Sequence, residues 1–293
     1  MTPEPAASSV SVVIVTYNGR PYLTALRDAL RPQVLSADEV VVFDNGSTDG
    51  TPRWLREEWR EARVIESPHN LLFAAGNNEA TRHTHGDVVL YLNQDTVSSP
   101  SLLDAARRTT LPRQAVTYGQ LFPWASTVQL PFIDWSGVVL WRVPDEALET
   151  VNMLSGAAFS LHRDTLGLIG HVPFDPRIPH NCEDTHLSLR LETMGVRLVG
   201  LRDDFVRHDS TPSKGHAIKD FFRAIEIGRN RILAHVYALG TAQTLKRLPY
   251  LMLAGYRKAG VDGRRTSTRI VGITLASWIG YALAMVKRPQ PRR

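Results

Sequence analysis

Cysteine is nearly absent: the 293 residues hold one, Cys182. No internal disulfide can staple the chain, which excludes disulfide-dense secreted scaffolds and fits a reducing compartment. Residues 1–9 lack a basic start and an apolar stretch, so they read as a flexible lead and not as a signal peptide. The C-terminal uncharged run Ile270–Val286 has only 17 residues. As a helix it would span about 25 Å, short of a ~30 Å hydrocarbon core. Acids are scarce at the same end. Residues 246–293 carry eleven Lys and Arg against Asp262 alone, a net charge of +10 inside a whole-chain value of +5. The first 245 residues therefore carry −5. What remains is average, at 43% hydrophobic and 22% charged with 20 Gly and 18 Pro, which excludes disordered, collagen-like and repeat classes.

The body reads as alternating strands and helices. Val10–Thr16 is a buried strand, followed by a helix from Pro21 to about Leu30. Glu39–Phe43 is a second strand, and Pro52 opens a helix to about Glu61. A short strand over Arg63–Glu66, a helix over Phe73–His83 and a strand over Asp87–Leu92 follow. This order implies βαβ units and a mainly parallel, buried sheet. Residues 111–150 are less regular and rich in Phe and Trp. Ser155–Leu161 reads as a strand, Glu183–Met194 as a helix ended by Gly195, Val196–Leu201 as a strand, and Ile218–Ile225 as an amphipathic helix. The body ends near residue 240, and a basic, apolar helical region occupies 241–293.

Ligands of such sheets bind beyond the strand C-termini, near a switch in strand order. Three loops stand there: Thr16–Arg20, Asp44–Gly50 and Asn93–Thr96. Each is rich in Asp, Asn, Thr and Gly, which suit ordinary turns equally well; their convergence favours a site. Asn93-Gln-Asp95 places two oxygen-bearing side chains at i and i+2, on one side of an extended segment, where a hard divalent cation would find ligands. A turn or helix cap explains the same tripeptide. Glu183-Asp184 opens a helix, where capping and the helix dipole explain most acidic pairs. His208 follows an apolar strand and, taken alone, reads as a structural histidine. Cys182 reads as a packing residue.

Seven segments in order tip these balances: VSVVIVTYNGRPYL (10–23), DEVVVFDNGSTDGT (38–51), NLLFAAGNN (70–78), GDVVLYLNQDT (86–96), SGAAFSLHRDTLGLIG (155–170), FDPRIPHNCEDTHLSLRLETMG (174–195) and FVRHDS (205–210). Over residues 10–235 the chain resembles the inverting family 2 glycosyltransferases of the GT-A fold, especially bacterial rhamnosyltransferase-like enzymes. The resemblance implies a Rossmann-like sheet flanked by helices. It places Thr16, Tyr17, Asn18, Asp44, Asn45, Asn78 and Asn93 toward the nucleotide-sugar, with Tyr17 against the base or ribose. Asp95 and His208 would hold Mg²⁺ or Mn²⁺, Asp184 would be the general base, and Glu183 would lie near the acceptor. The implied reaction is a single displacement from a dTDP-, UDP- or GDP-sugar to a saccharide or lipid-linked saccharide hydroxyl, in cell-surface polysaccharide or glycolipid assembly. A carboxylate with an unperturbed pKa of about 4 is already ionised at pH 7 and can act as base without a large shift.

The chain also departs from the family. Asn93 replaces the first Asp of the DxD motif. Leu72 stands where Gly is usual, and His186 stands where Asp is frequent. Pro179-His180-Asn181 replaces an aromatic-rich stretch. The last two changes leave the acceptor open.

The basic tail reads as helices on an anionic membrane surface, which puts the protein at the cytoplasmic face of the cell membrane. A packing or homodimer helix and a true span are the other readings. Nucleic acid is not expected, since no binding motif accompanies the charge. A non-catalytic sugar-nucleotide binder would lack Asp95 or Asp184, and both are present. A nucleotidyltransferase would show a Gly-rich basic loop after the first strand, where this chain has Thr-Tyr-Asn-Gly-Arg.

Overall fold

The computed structural model describes residues 8–134, 137, 139–209, 217–261 and 278, with backbone alone over 217–225 and 252–261. The lead 1–7 and the tail 262–293, apart from Trp278, lie outside the described residues, so the membrane-surface expectation for 270–286 does too. Among the described residues no helix is long and apolar enough to cross a membrane.

The elements follow in order: β1 (Val10–Thr16), α1 (Arg20–Leu30), β2 (Glu39–Asp44), α2 (Thr51–Glu58), β3 (Arg63–Glu66), α3 (Leu72–Thr81), β4 (Val88–Asn93), β5 (Thr96–Ser98), α4 (Leu102–Thr109), β6 (Gln114–Leu121), β7 (Leu130–Ile133), β8 (Val139–Arg142), β9 (Leu148–Thr150), β10 (Ala158–His162), α5 (Arg163–Leu168), α6 (Glu183–Thr193), β11 (Arg197–His208), α7 (Ala217–Leu239) and α8 (Thr241–Val261). A nine-stranded sheet runs β3-β2-β1-β4-β10-β6-β11-β5, with β9 on β11. The β3-β2-β1-β4 half is parallel, as the βαβ spacing predicts. β10 then runs against both β4 and β6, while β6 and β11 are parallel again. One consequence matters for function. β1, β2, β4, β6 and β11 all point the same way and end on one edge.

Strand sequences explain the layering. β1 is apolar on both faces because both are covered. Val10, Val12 and Ile14 pack with Leu23, Leu26 and Leu30 of α1, Trp54 and Leu55 of α2, and Leu102 and Leu103 of α4. Val13 faces the other layer, with Ala74 and Ala80 of α3, Leu166 of α5, and Leu187 and Leu191 of α6. Truncating a fully buried leucine such as Leu26 in such a core costs about 2–5 kcal/mol. α6 is covered a second time, by α7. This second cover buries residues on its outer side.

Three expectations change. Residues 111–150 are not irregular: they hold β6 to β9, including the β7–β8 hairpin. Pro123 and Pro131 break the alternation that would mark strands. Ser155–Ala157 is a turn, closed by Ala158 N–H donating to Ser155 O, so the strand begins at Ala158. β11 does not stop at Leu201. It shifts register between Leu201 and Phe205 and continues to His208, its last residue. The polar Arg202-Asp203-Asp204 hides this continuation in the sequence, as a β-bulge commonly does.

Candidate functional site

Register brings the first loops level. Thr16 pairs with Asp44 across β1–β2, and Val15 with Asn93 across β1–β4. Thr16 is buried, and its hydroxyl donates to Gln94 Oε1 at 2.8 Å; the same oxygen accepts from Tyr17 N–H at 2.9 Å. Gly19 permits this arrangement: a Cβ there would stand 2.1 Å from Thr16 Oγ1 and 2.4 Å from Gln94 Oε1. Tyr17 is left 45% exposed over the edge. Asn18 takes φ +50 and ties the next loop, with Thr48 N–H donating to Asn18 Oδ1 at 2.9 Å and Asn18 N–H donating to Ser47 Oγ at 2.8 Å.

Asp44 is buried, and its Oδ2 accepts from Ser47 N–H at 3.0 Å. Its Oδ1 has no hydrogen-bond partner among the described residues. A buried carboxylate oxygen of that kind is costly unless a ligand N–H or O–H completes it. Asn45 accepts from Leu71 N–H at 2.7 Å and donates to Leu72 O at 3.2 Å, which fixes the entry to α3. Leu72 sits there at φ +66, a left-handed conformation that explains why glycine suits this turn.

Asn93 is the last residue of β4, and Gln94 and Asp95 form the turn to β5, so the tripeptide is not one extended segment. The i, i+2 argument for a shared face therefore does not hold. The β5–β11 pairing does the gathering instead: Thr96 pairs with His208, and Asp209 N–H donates to Asp95 O at 2.9 Å. His208 Nε2 lies 3.4 Å from Asp95 Oδ1. On its other side, His208 Nδ1 lies 2.8 Å from Gln120 Oε1, and the Gln120 amide nitrogen donates to Ser155 Oγ. Gln120 thereby fixes the ring plane.

The acidic pair closes the same edge. Two left-handed residues, Asn181 at φ +61 and Cys182 at φ +66, turn the chain into α6. Asp184 Oδ1 accepts from Thr185 N–H at 2.7 Å, and Oδ2 from Gly156 N–H at 3.2 Å. Burial pushes Asp184 above the ordinary carboxylate range, against those donors. Glu183 is buried beside it, with Oε2 unpartnered among the described residues. Burial first, then the Asp184 charge, hold Glu183 well above the usual range. Burial also draws His186 down to about 4. The expectation of an unshifted carboxylate base misses this shift, because the sequence does not display the packing around the start of α6.

The structure thus brings Thr16, Tyr17, Asn18, Asp44, Asn45, Asn93, Asp95, Asp184 and His208 to one edge, with Glu183 behind Asp184. Asn78 is set apart: its amide clasps Phe174, donating to Phe174 O at 2.8 Å and accepting from Phe174 N–H at 3.0 Å. Gln94, Gln120, Ser155 and Gly156 were missed. Gln94 lies inside the tripeptide that drew attention, yet its partners are 77 and 78 residues away. No local spacing reveals them.

Residues 11–119 match the model of glycosyl transferase family 2. The chain is 30% identical over 233 residues to the O-antigen biosynthesis protein RfbC of Myxococcus xanthus, covering 71% of this chain and 18% of that far longer relative. It is 28% identical over 242 residues to the N-acetylglucosaminyl-diphospho-decaprenol L-rhamnosyltransferase of Mycobacterium tuberculosis, covering 70% of this chain and 77% of that one. Among solved structures, it superposes on the mannosyltransferase PcManGT from Pyrobaculum calidifontis, in complex with GDP-Man and Mn²⁺, with a TM-score of 0.59 and 20% identity, over 99% of this chain and 79% of the other. Residues 11–119 are a family 2 glycosyl transferase segment, set in a chain with the GT-A glycosyltransferase fold.

Proposed function

We propose that this chain transfers a sugar from a nucleotide-diphosphate sugar to a hydroxyl acceptor, inverting the anomeric carbon. The observation that carries this reading is the single strand edge that gathers the unfilled Asp44 carboxylate, the Asp95–His208 pair and the half-buried Asp184. Asp44 Oδ1 accepts a hydrogen bond from the nucleoside, and Asn18 and Asn45 hold the two loops around it. Tyr17, exposed on a clamped backbone, lies against the base or ribose, with Thr16 and Asn93 beneath.

The diphosphate end falls at Asp95 and His208. One carboxylate oxygen and one imidazole nitrogen fit a Mg²⁺ or Mn²⁺ ion whose other ligands are phosphate oxygens and water. Among the described residues no group of three His, Cys, Asp or Glu could hold an ion. When bound, the ion would neutralise charge on the departing diphosphate. Asp184 takes the proton from the acceptor hydroxyl as its oxygen bonds to the anomeric carbon and the bond to the diphosphate breaks. Burial raises its proton affinity toward the working range of a general base. Glu183 lies behind it on the acceptor side. Asn78 serves the nucleotide side indirectly, by fixing α3 through Phe174.

The names of the relatives support assembly of a cell-surface polysaccharide or glycolipid on a lipid-linked acceptor, and we set that reaction at the cytoplasmic face of the membrane. A thermal-shift panel of UDP-, GDP- and dTDP-sugars with Mg²⁺ or Mn²⁺, followed by a transfer assay with the donor found, tests the reading. A donor that stabilises the protein and is consumed supports it. No stabilisation by any nucleotide-sugar defeats it.

A further inference from the structure

Beside His208 lies an aromatic group that the reading above leaves unused. Phe122 follows β6 directly, at the edge where β1, β2, β4 and β11 also end. Its ring is buried, 6.0 Å from the His208 ring, with the edge of Trp141 against it at 4.8 Å. Trp124 stacks flat on Phe122, at 5.0 Å and 8° between planes. Yet Trp124 is 62% exposed, more than any other large hydrophobic side chain described. Its inner face is anchored and its outer face is open.

We infer that the open face of Trp124 is a stacking platform for a pyranose ring of the acceptor. This rests on the transferase reading and names what the site takes on that side. An indole face carries negative π-charge and is apolar, while a pyranose presents a face of C–H groups rimmed by hydroxyls. A rigid, two-torsion aromatic offers this contact at low entropic cost. The surroundings select a sugar over a lipid surface. Ser126 and Thr127, which follow Trp124 closely in the chain, are exposed hydroxyls, and residues 122–134 contain no Lys or Arg. Position selects the acceptor over the donor: the Asp44 carboxylate and Tyr17 lie across the sheet, beyond β4 and β10.

Saturation-transfer NMR on the full chain tests this, using methyl glycosides of L-rhamnose, D-mannose and N-acetyl-D-glucosamine as probes, with wild type, Trp124→Ala and Trp124→Tyr. At least one glycoside should respond through the C–H protons of one ring face. W124A should lower that response five-fold or more, and W124Y should retain most of it. Nucleotide-sugar thermal shifts, read in parallel, should match in all three proteins. An equal glycoside response in W124A overturns the platform, as does no response from any glycoside in wild type. So does loss, in W124A alone, of binding to phosphatidylglycerol–phosphatidylethanolamine vesicles with no glycoside response, which would assign Trp124 to lipid. If glycosides respond through Trp124 but no nucleotide-sugar shifts the wild type, the platform stands and the transferase reading falls.

Discussion

The Gly156 amide donates to the Asp184 carboxylate over 3.2 Å, tying the first turn of α6 to the turn that precedes β10. The bond aims the carboxylate at the strand edge while the second oxygen is held by Thr185 N–H. Asp184→Asn keeps the size of the side chain and removes the base. Transfer should fall by about 10²–10⁴-fold, with nucleotide affinity unchanged within two-fold. Near-wild-type transfer in D184N would move the base elsewhere.

Asp95→Ala tests the other end of the edge. Thermal shifts of wild type with the nucleotide-sugar should be larger with Mn²⁺ than with a chelator present. D95A should lose that increment and keep the chelator value. Wild-type shifts that ignore the metal would remove this role from Asp95 and His208.

Gln94 anchors both the Thr16 hydroxyl and the Tyr17 amide through one oxygen. Gln94→Ala leaves a buried hydroxyl and a loop amide without that acceptor, at about 1–3 kcal/mol. Titration calorimetry should show nucleotide binding at least ten-fold weaker. Gly19→Ala should act in the same direction, since its Cβ occupies the same space. Unchanged affinity in both variants would show that the clamp does not shape the nucleotide loop.

Leu72 holds φ +66 with its side chain 47% exposed. A left-handed residue with a Cβ costs roughly 1–2 kcal/mol, partly returned as unfolded-chain entropy when glycine replaces it. Leu72→Gly should therefore stabilise the protein by about 0.5–1 kcal/mol in urea unfolding. A loss of stability would mean that Leu72 packs more tightly than its exposure implies.

His186 carries a pH signature. Its imidazole, 3% exposed, titrates at about 4 when folded, chiefly through burial, with Arg190 and Arg177 acting the same way and Asp175 opposing. The unfolded chain takes the proton near 6.5, so stability falls as pH drops from 6.5 to 4, by about 3 kcal/mol for this group. Buried His235 adds the same sign. Glu183 and Asp184, raised in the fold, act oppositely: their contribution is present at low pH and is lost as pH rises through their folded values. His186→Gln should flatten the acid limb of a stability–pH curve relative to wild type. Parallel curves would exclude the histidine as a source.

The parallel half of the sheet was legible in the sequence because β1, β2 and β4 are continuous apolar runs ended by turn residues. β3 was placed to the residue. The strands between β6 and β10 were not, since β7, β8 and β9 are three or four residues long and Pro131 interrupts β7. The site divides along the same line. Thr16, Asp44 and Asn93 follow apolar strands and announce themselves. Gln120 and Gly156 act through partners many residues away, and the amide that meets Asp184 comes from a turn 28 residues earlier in the chain.

The stretch between β6 and β9 has one further effect. The segment 122–147 leaves the sheet after β6 and returns to it at β9, on β11 next to β6, so its two ends are anchored on neighbouring strands. Such a segment is a cassette. Its length and side chains can be exchanged without moving the register of β1, β2 or β4. A different acceptor can thus be fitted by replacing one stretch while the donor half keeps its place.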